Sequence, residues 1–124
     1  MAKILVVDDV FPTRKLFAMR LEREGFEVIV AENGAEAVKL AISELPGLIL
    51  MDMGLPIKDG WTATQEIRAH YATRGIPIIA FTNHNGEEQV RRCLEVGCNS
   101  VQPKSLPFPR LSALIKETMG EEPE

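Results

Sequence analysis

Leu48-Ile49-Leu50-Met51-Asp52-Met53-Gly54-Leu55-Pro56 is the stretch on which the reading of this chain turns. Four apolar residues stand in unbroken succession, an acid follows, and a proline comes four residues later. A strand with one wet face alternates apolar and polar residues, whereas a strand covered on both faces does not. The run therefore predicts a strand inside a sheet that carries helices on both sides. Ile4-Leu5-Val6-Val7 has the same character, and Val28-Ile29-Val30 and Ile78-Ile79-Ala80-Phe81 are similar. Ser100-Val101-Gln102 is a weaker fifth strand, ended by Pro103, which a sheet tolerates only at an edge or a strand terminus.

Between these runs the spacing changes to that of helices. Pro12 suits the first turn of a helix that reaches about Glu24, with Gly25 as its stop. Ala37, Val38, Ala41 and Leu45 mark a second helix over 35–44, which Pro46-Gly47 breaks. A third, over 61–72, brings Ala63, Ile67 and Tyr71 into line, with Asp59 as its N-cap. Val90, Cys93, Leu94 and Gly97 predict an apolar face on the fourth. Leu111, Leu114, Ile115 and Thr118 align on the fifth. Strand and helix thus alternate five times through short connections, which predicts an α/β fold with a doubly wound parallel sheet. The flavodoxin-like (βα)5 order 2-1-3-4-5 puts the Pro103 strand at an edge.

At 124 residues the chain has the length of one domain. Its 45% apolar and 26% charged residues suffice for a core. A net charge of -4 without a basic run argues against nucleic acid as a partner. No apolar run approaches the about 18 residues of a membrane span, and the start lacks the layout of a secretion signal, so no membrane association and a cytoplasmic location are expected. Cys93 and Cys98 have no metal-ligand or CxxC spacing and read as buried, reduced thiols.

In a sheet of this kind ligands bind beyond the C-terminal ends of the strands. Strand 1 runs into Asp8-Asp9, strand 3 into Asp52, strand 4 into Thr82 and strand 5 into Lys104. Strands 1 and 3 are neighbours in the expected order, so three carboxylates converge. Such a cluster persists only with a cation or a raised pKa, and a hard divalent ion such as Mg2+ takes oxygen ligands of this type. Lys104 and the Thr82 hydroxyl could then hold oxygens of a phosphoryl group, with a carboxylate as its acceptor. Taken singly, Asp8 and Asp9 could instead cap a helix, and Thr82 could be only a β-branched strand end.

The acid pair, the Asp52-Met53-Gly54-Leu55-Pro56 segment continuing to Asp59-Gly60, Thr82 and Lys104 are together similar to the receiver domains of two-component response regulators. The resemblance spans residues 2–119 and leaves 120–124 as a flexible acidic tail. It implies a signalling switch in which Asp52 accepts a phosphoryl group from a histidine kinase or histidine phosphotransfer protein. It further implies Mg2+ bound by Asp8, Asp9, Asp52 and the Gly54 carbonyl, with Thr82 and Lys104 holding phosphoryl oxygens. The module would not be a turnover enzyme, although it would partly catalyse its own dephosphorylation. With no output domain after residue 119, signalling is expected through protein contacts on the helix 4–strand 5–helix 5 face.

This chain departs from the family pattern at four places. Ser105 replaces the proline that usually follows the lysine, so a trans bond is expected there. Val101 stands where a switching aromatic is common, and Asn83 where a small residue follows the threonine. Gly54 offers no side chain over the site, while His84 lies two residues past Thr82. Two rivals stay open. One is a pseudo-receiver that binds partners without phosphorylation; the other is an aspartate-nucleophile phosphatase, which would want a second acid where Gly54 stands. A receiver cut from a longer regulator would share the same chemistry.

Overall fold

Five parallel strands form one sheet in the order β2-β1-β3-β4-β5 in this computed structural model, which describes residues 2–120. Along the chain run β1 (Lys3–Val7), α1 (Phe11–Arg23), β2 (Glu27–Ala31), α2 (Gly34–Glu44), β3 (Leu48–Met51), α3 (Gly60–Ala69), β4 (Ile78–Phe81), α4 (Glu87–Val96), β5 (Ser100–Gln102) and α5 (Phe108–Thr118). The flavodoxin-like order expected from the sequence is the observed one. β5 lies at an edge, and Pro103 follows it directly.

The unbroken apolar runs are explained by two cores. Leu5, Val7, Ile49, Met51, Ile78 and Ala80 face one side and pack with Ala37 and Ala41 of α2, Ala63 and Ile67 of α3 and Cys93 of α4. Ile4, Val6, Leu48, Leu50, Ile79 and Phe81 face the other side, against Leu21 of α1 and Leu111 and Ile115 of α5. Alternate residues of each strand thus serve opposite layers, and neither face can be polar. Phe17 of α1 meets Phe81 edge-on at 5.0 Å between ring centres, and this fixes α1 against the end of β4.

Local chemistry sets the helix ends. The Asn33 side chain accepts from the Glu36 N–H at 2.8 Å, and the Asp59 carboxylate accepts from the Thr62 N–H at 2.7 Å, as the N-cap reading of Asp59 requires. Gly97 ends α4 with φ 113°, a left-handed conformation that suits glycine.

Three helices differ from their sequence patterns. Leu45, expected in line with Ala37 and Ala41, is instead the left-handed C-cap of α2 and is 55% exposed. α3 stops at Ala69, and Tyr71 is 84% exposed instead of aligning with Ala63 and Ile67. His70 turns to extended backbone, its Nδ1 accepts from the Ala72 N–H, and the Thr73 hydroxyl donates to the Ile67 carbonyl. These bonds satisfy groups that a further helical turn would have paired, and the chain leaves the axis. On α4 only Cys93 is buried, while Leu94 is 52% exposed. The helix lies over the sheet along a narrow line, so its apolar pattern is wider than the covered stripe. The expected acidic tail falls at 120–124, of which 121–124 lie outside the described residues.

Cys93 and Cys98 flank the end of α4, where the Cys98 N–H donates to the Cys93 carbonyl at 2.9 Å. Both are free and buried. Burial raises the Cys93 thiol pKa and pushes that of Cys98 up to about 12. Thiolate, the reactive form, is therefore scarce at both near neutral pH. Native protein at pH 8 is expected to resist labelling by an aromatic disulfide reagent, while denatured protein takes up two equivalents. Rapid labelling of the native chain would contradict this packing.

Candidate functional site

The rim of the sheet is built by the strand ladders running one residue beyond the strands. The Asp8 N–H donates to the Ala31 carbonyl, the Asp52 N–H to the Val7 carbonyl and the Thr82 N–H to the Gln102 carbonyl, at 3.1, 3.0 and 3.0 Å. The backbone of each of these polar residues is thus as fixed as the strand before it. Side-chain direction alternates along a strand, and the next residue after each apolar run is the first that can reach over the edge.

Asp8 and Asp52 are only 4% and 6% exposed, whereas Asp9 is open to solvent. Carboxylate oxygens of all three lie within 4.8 Å of one another. One Asp8 oxygen accepts from the Val10 N–H at 2.9 Å and the other from Lys104 Nζ at 2.7 Å. Asp52 is held similarly, by the Met53 N–H at 2.7 Å and by Lys104 Nζ at 2.9 Å. Arg14 donates to the main-chain carbonyl of Asp8 at 2.8 Å and steadies this corner from α1. The residue at the N-cap of α1 is Val10, without a side-chain cap, so neither Asp8 nor Asp9 serves as that cap.

Lys104 therefore bridges the ends of β1 and β3 from beyond β5. Burial alone would lower its pKa, but the hydrogen bonds and charges of Asp8 and Asp52 outweigh burial and raise it. It remains an ammonium throughout the neutral range. Its peptide bond to Ser105 is trans, as expected, and the side chain reaches both acids nonetheless. One ammonium balances only one of three carboxylates. The remaining charge and the all-oxygen donor set fit a hard divalent cation such as Mg2+.

Thr82 is fully buried, and its Oγ1 accepts from the His84 N–H at 3.0 Å. Gly54 lies on the loop after Asp52, and the space its side chain would fill belongs to His84. A Cβ on Gly54 would stand 2.2 Å from His84 Nε2. The imidazole also meets Trp61 edge-on at 6.3 Å. The indole N–H donates to the Gln89 carbonyl at 3.3 Å, and the Arg92 guanidinium lies 4.9 Å above the ring. The sequence set Gly54 and His84 side by side as one departure from a pattern, and the structure shows them in direct contact. Only the absence of a side chain at 54 signalled it, because the direction of a loop imidazole is not written in residue spacing.

Gly60 is required for a different reason. A Cβ there would lie 2.3 Å from the main-chain oxygen of Asp52 and 2.7 Å from Met53 Cα. The first turn of α3 is pressed against the backbone of Asp52 itself. Asp8, Asp9, Asp52 and Lys104 are thus brought together on one rim, with Gly54 on the loop leaving Asp52 and Thr82 at the end of the adjacent β4.

Residues 4–116 match the family model described as the response regulator receiver domain. The polar-differentiation response regulator DivK of Brucella anthropi is 34% identical over 118 residues, which cover 95% of this chain and 96% of that protein. Among solved structures, the receiver domain of a sensor histidine kinase from Pseudomonas aeruginosa, with a magnesium ion coordinated in its active-site cleft, superposes with TM-score 0.90. That domain is 32% identical and the match covers 97% of this chain and 98% of that one. Vibrio cholerae chemotaxis protein CheY4 superposes with TM-score 0.89 at 25% identity, covering 95% and 98% of the two chains.

The two glycines predict opposite outcomes. Gly60→Ala must move backbone, and is expected to cost about 2 kcal/mol or more in urea denaturation. Gly54→Ala meets only the tip of a ring that can swing away. It is expected to cost less than about 1 kcal/mol while changing the fluorescence of Trp61, the chain's single tryptophan, as His84 leaves it.

Proposed function

The chain belongs to the response regulator receiver domain family of two-component signalling, and from that premise we propose that Asp52 is its phosphoacceptor. The observation that carries this reading is the single ammonium of Lys104 hydrogen-bonded to both Asp8 and Asp52, beside a third carboxylate within 4.8 Å. Buried acids arranged in this way are short of positive charge, and a fold that needed them only for stability would have less reason to gather them.

In the proposed reaction a carboxylate oxygen of Asp52 attacks the phosphorus of a phosphohistidine on a histidine kinase or phosphotransfer protein. A P–O bond forms as the P–N bond breaks, and the electron pair of the broken bond stays on the donor's imidazole. Lys104 already contacts the accepting carboxylate and is placed to follow an oxygen of the incoming group. The Thr82 oxygen accepts from the His84 N–H, which leaves the hydroxyl proton free for another phosphoryl oxygen. Asp8, Asp9, Asp52 and the Gly54 carbonyl would hold Mg2+, which when bound neutralises charge on the acids and on the transferring group. The magnesium ion in the cleft of the Pseudomonas receiver domain supports that assignment.

Docking of the donor is assigned to α1 and the neighbouring loops. α1 carries Arg14, Lys15, Arg20 and Arg23 against one acid, Glu22, and exposes Phe11, Leu16 and Met19. The output surface is assigned to α4, β5 and α5, where Leu94 stands exposed. The proposed module signals through such contacts and is not a turnover enzyme.

Incubation with Mg2+ and a small phosphodonor such as phosphoramidate is expected to add the mass of one phosphoryl group. Asp52→Asn should abolish the gain. A wild-type chain that gains no mass and binds no Mg2+ would be a partner-binding module independent of phosphorylation, and steady hydrolysis of unrelated phosphomonoesters would mark a phosphatase.

A further inference from the structure

Five residues after Asp52 the loop to α3 bends in an unfavourable way. The Lys58 N–H donates to the Pro56 carbonyl at 2.7 Å, closing a three-residue turn centred on Ile57, whose φ is 69°. This is the left-handed region, where a β-branched side chain crowds the backbone and glycine or asparagine is the ordinary occupant. Surrounding bonds impose the turn. The Gly34 N–H donates to the Lys58 carbonyl at 3.0 Å, the Lys58 ammonium pairs with Glu66 at 2.7 Å, and Asp59 caps α3.

The side chain returns nothing to the fold for this strain. Ile57 is 83% exposed and belongs to neither core. Strained residues that the rest of a structure holds in place cluster at sites of function. This one stands on the loop that leaves Asp52. On the adjacent strand, the loop that leaves Asp8 and Asp9 exposes Val10, and Phe11 at the start of α1 is exposed beside it. The buried acceptor is therefore bordered by exposed apolar side chains from two neighbouring strand-to-helix connections and the first residue of α1. On the β1 side they continue into α1, with its Lys15 and Arg20.

We infer that Ile57 is a docking and specificity residue for the protein that delivers the phosphoryl group to Asp52. The inference rests on the phosphoacceptor reading above. The partner it fits has an apolar patch next to its phosphorylated side chain, bordered by acids that meet the basic residues of α1. A small phosphodonor reaches Asp52 without touching Ile57. A protein donor cannot approach the same rim without covering an apolar side chain that projects from it, and covering it is what turns an exposed isoleucine into binding free energy.

The test uses Ile57→Gly and Ile57→Asn, with Ile57→Leu as the conservative control. The donor is whichever member of a panel of phosphorylated histidine kinase and phosphotransfer domains phosphorylates the wild-type chain fastest. Relief of strain should raise the melting temperature of the glycine and asparagine variants by about 2–5 °C. Phosphorylation by phosphoramidate with Mg2+ should stay within about twofold of wild type, because the chemistry is untouched. Transfer from the protein donor should fall about tenfold or more in kcat/KM, through KM, and Ile57→Leu should restore most of it. Unchanged transfer from the protein donor overturns the inference, as does a lowered melting temperature or an equal loss with phosphoramidate. Failure of the wild-type chain itself to accept a phosphoryl group from phosphoramidate overturns the phosphoacceptor reading and this inference with it.

Discussion

The ammonium of Lys104 between Asp8 and Asp52 is the interaction on which the arrangement of the rim depends. Its 2.7 and 2.9 Å hydrogen bonds join the ends of β1 and β3 to the segment after β5, residues 96 and 52 positions apart in the chain. Removing that cation would leave two almost fully buried carboxylates facing each other with only backbone N–H groups to hold them, a cost that breaking buried pairs commonly carries. Yet the bridge leaves the cluster incompletely balanced. Two negative charges remain in excess on the rim of a chain whose overall charge is -4. The excess charge is what makes the cluster a site that favours a divalent cation.

Close packing of backbone against backbone keeps the acids in place. Gly60 lets α3 begin directly against the main chain of Asp52, and Gly34 does the same for α2 against Lys58, whose oxygen would stand 2.0 Å from a Cβ at 34. The β3–α3 loop is consequently held from both sides, which is how it can sustain a left-handed isoleucine. Rigidity at Asp52 and strain at its border are two results of the same packing.

Much of this was legible in the sequence, for identifiable reasons. Unbroken apolar runs such as Leu48–Met51 mark strands covered twice, and such strands leave few topologies open. The acids were legible because each follows its run immediately, so the end of the strand fixes the position of the residue. Where local signals were absent the reading slipped. α3 ends at Ala69 because His70 and Thr73 intercept its last polar groups, while the nearest glycine is Gly75, six residues further on. Leu94 fits the helical period but lies beyond the line along which α4 meets the sheet. The contact of His84 with Gly54 and the backbone of Ile57 depend on loop paths, and for Ile57 residue preference points away from the observed conformation.

Val101 raises the question of how an event at Asp52 would reach a partner without a rotating aromatic on β5. Val101 is half-buried and packs on the core shared by α2, α3 and α4, so it offers no side chain able to exchange between inside and outside. A different connection is present. The Thr82 hydroxyl is tied to the His84 N–H, the His84 ring rests on Gly54 and on the edge of Trp61, and Trp61 is joined to α4 through Gln89 and Arg92. Any draw of Thr82 toward a phosphoryl oxygen would pull on the same residue whose ring touches the acceptor loop and the helix anchor. The β4–α4 loop between them is short and largely exposed, running from Thr82 to the start of α4 at Glu87. A displacement at its first residue has few internal contacts in which to dissipate before it reaches the helix. In this chain an imidazole seated over a glycine, and no β5 aromatic, forms the chain of contacts from Thr82 at the end of β4 to the first turns of α4.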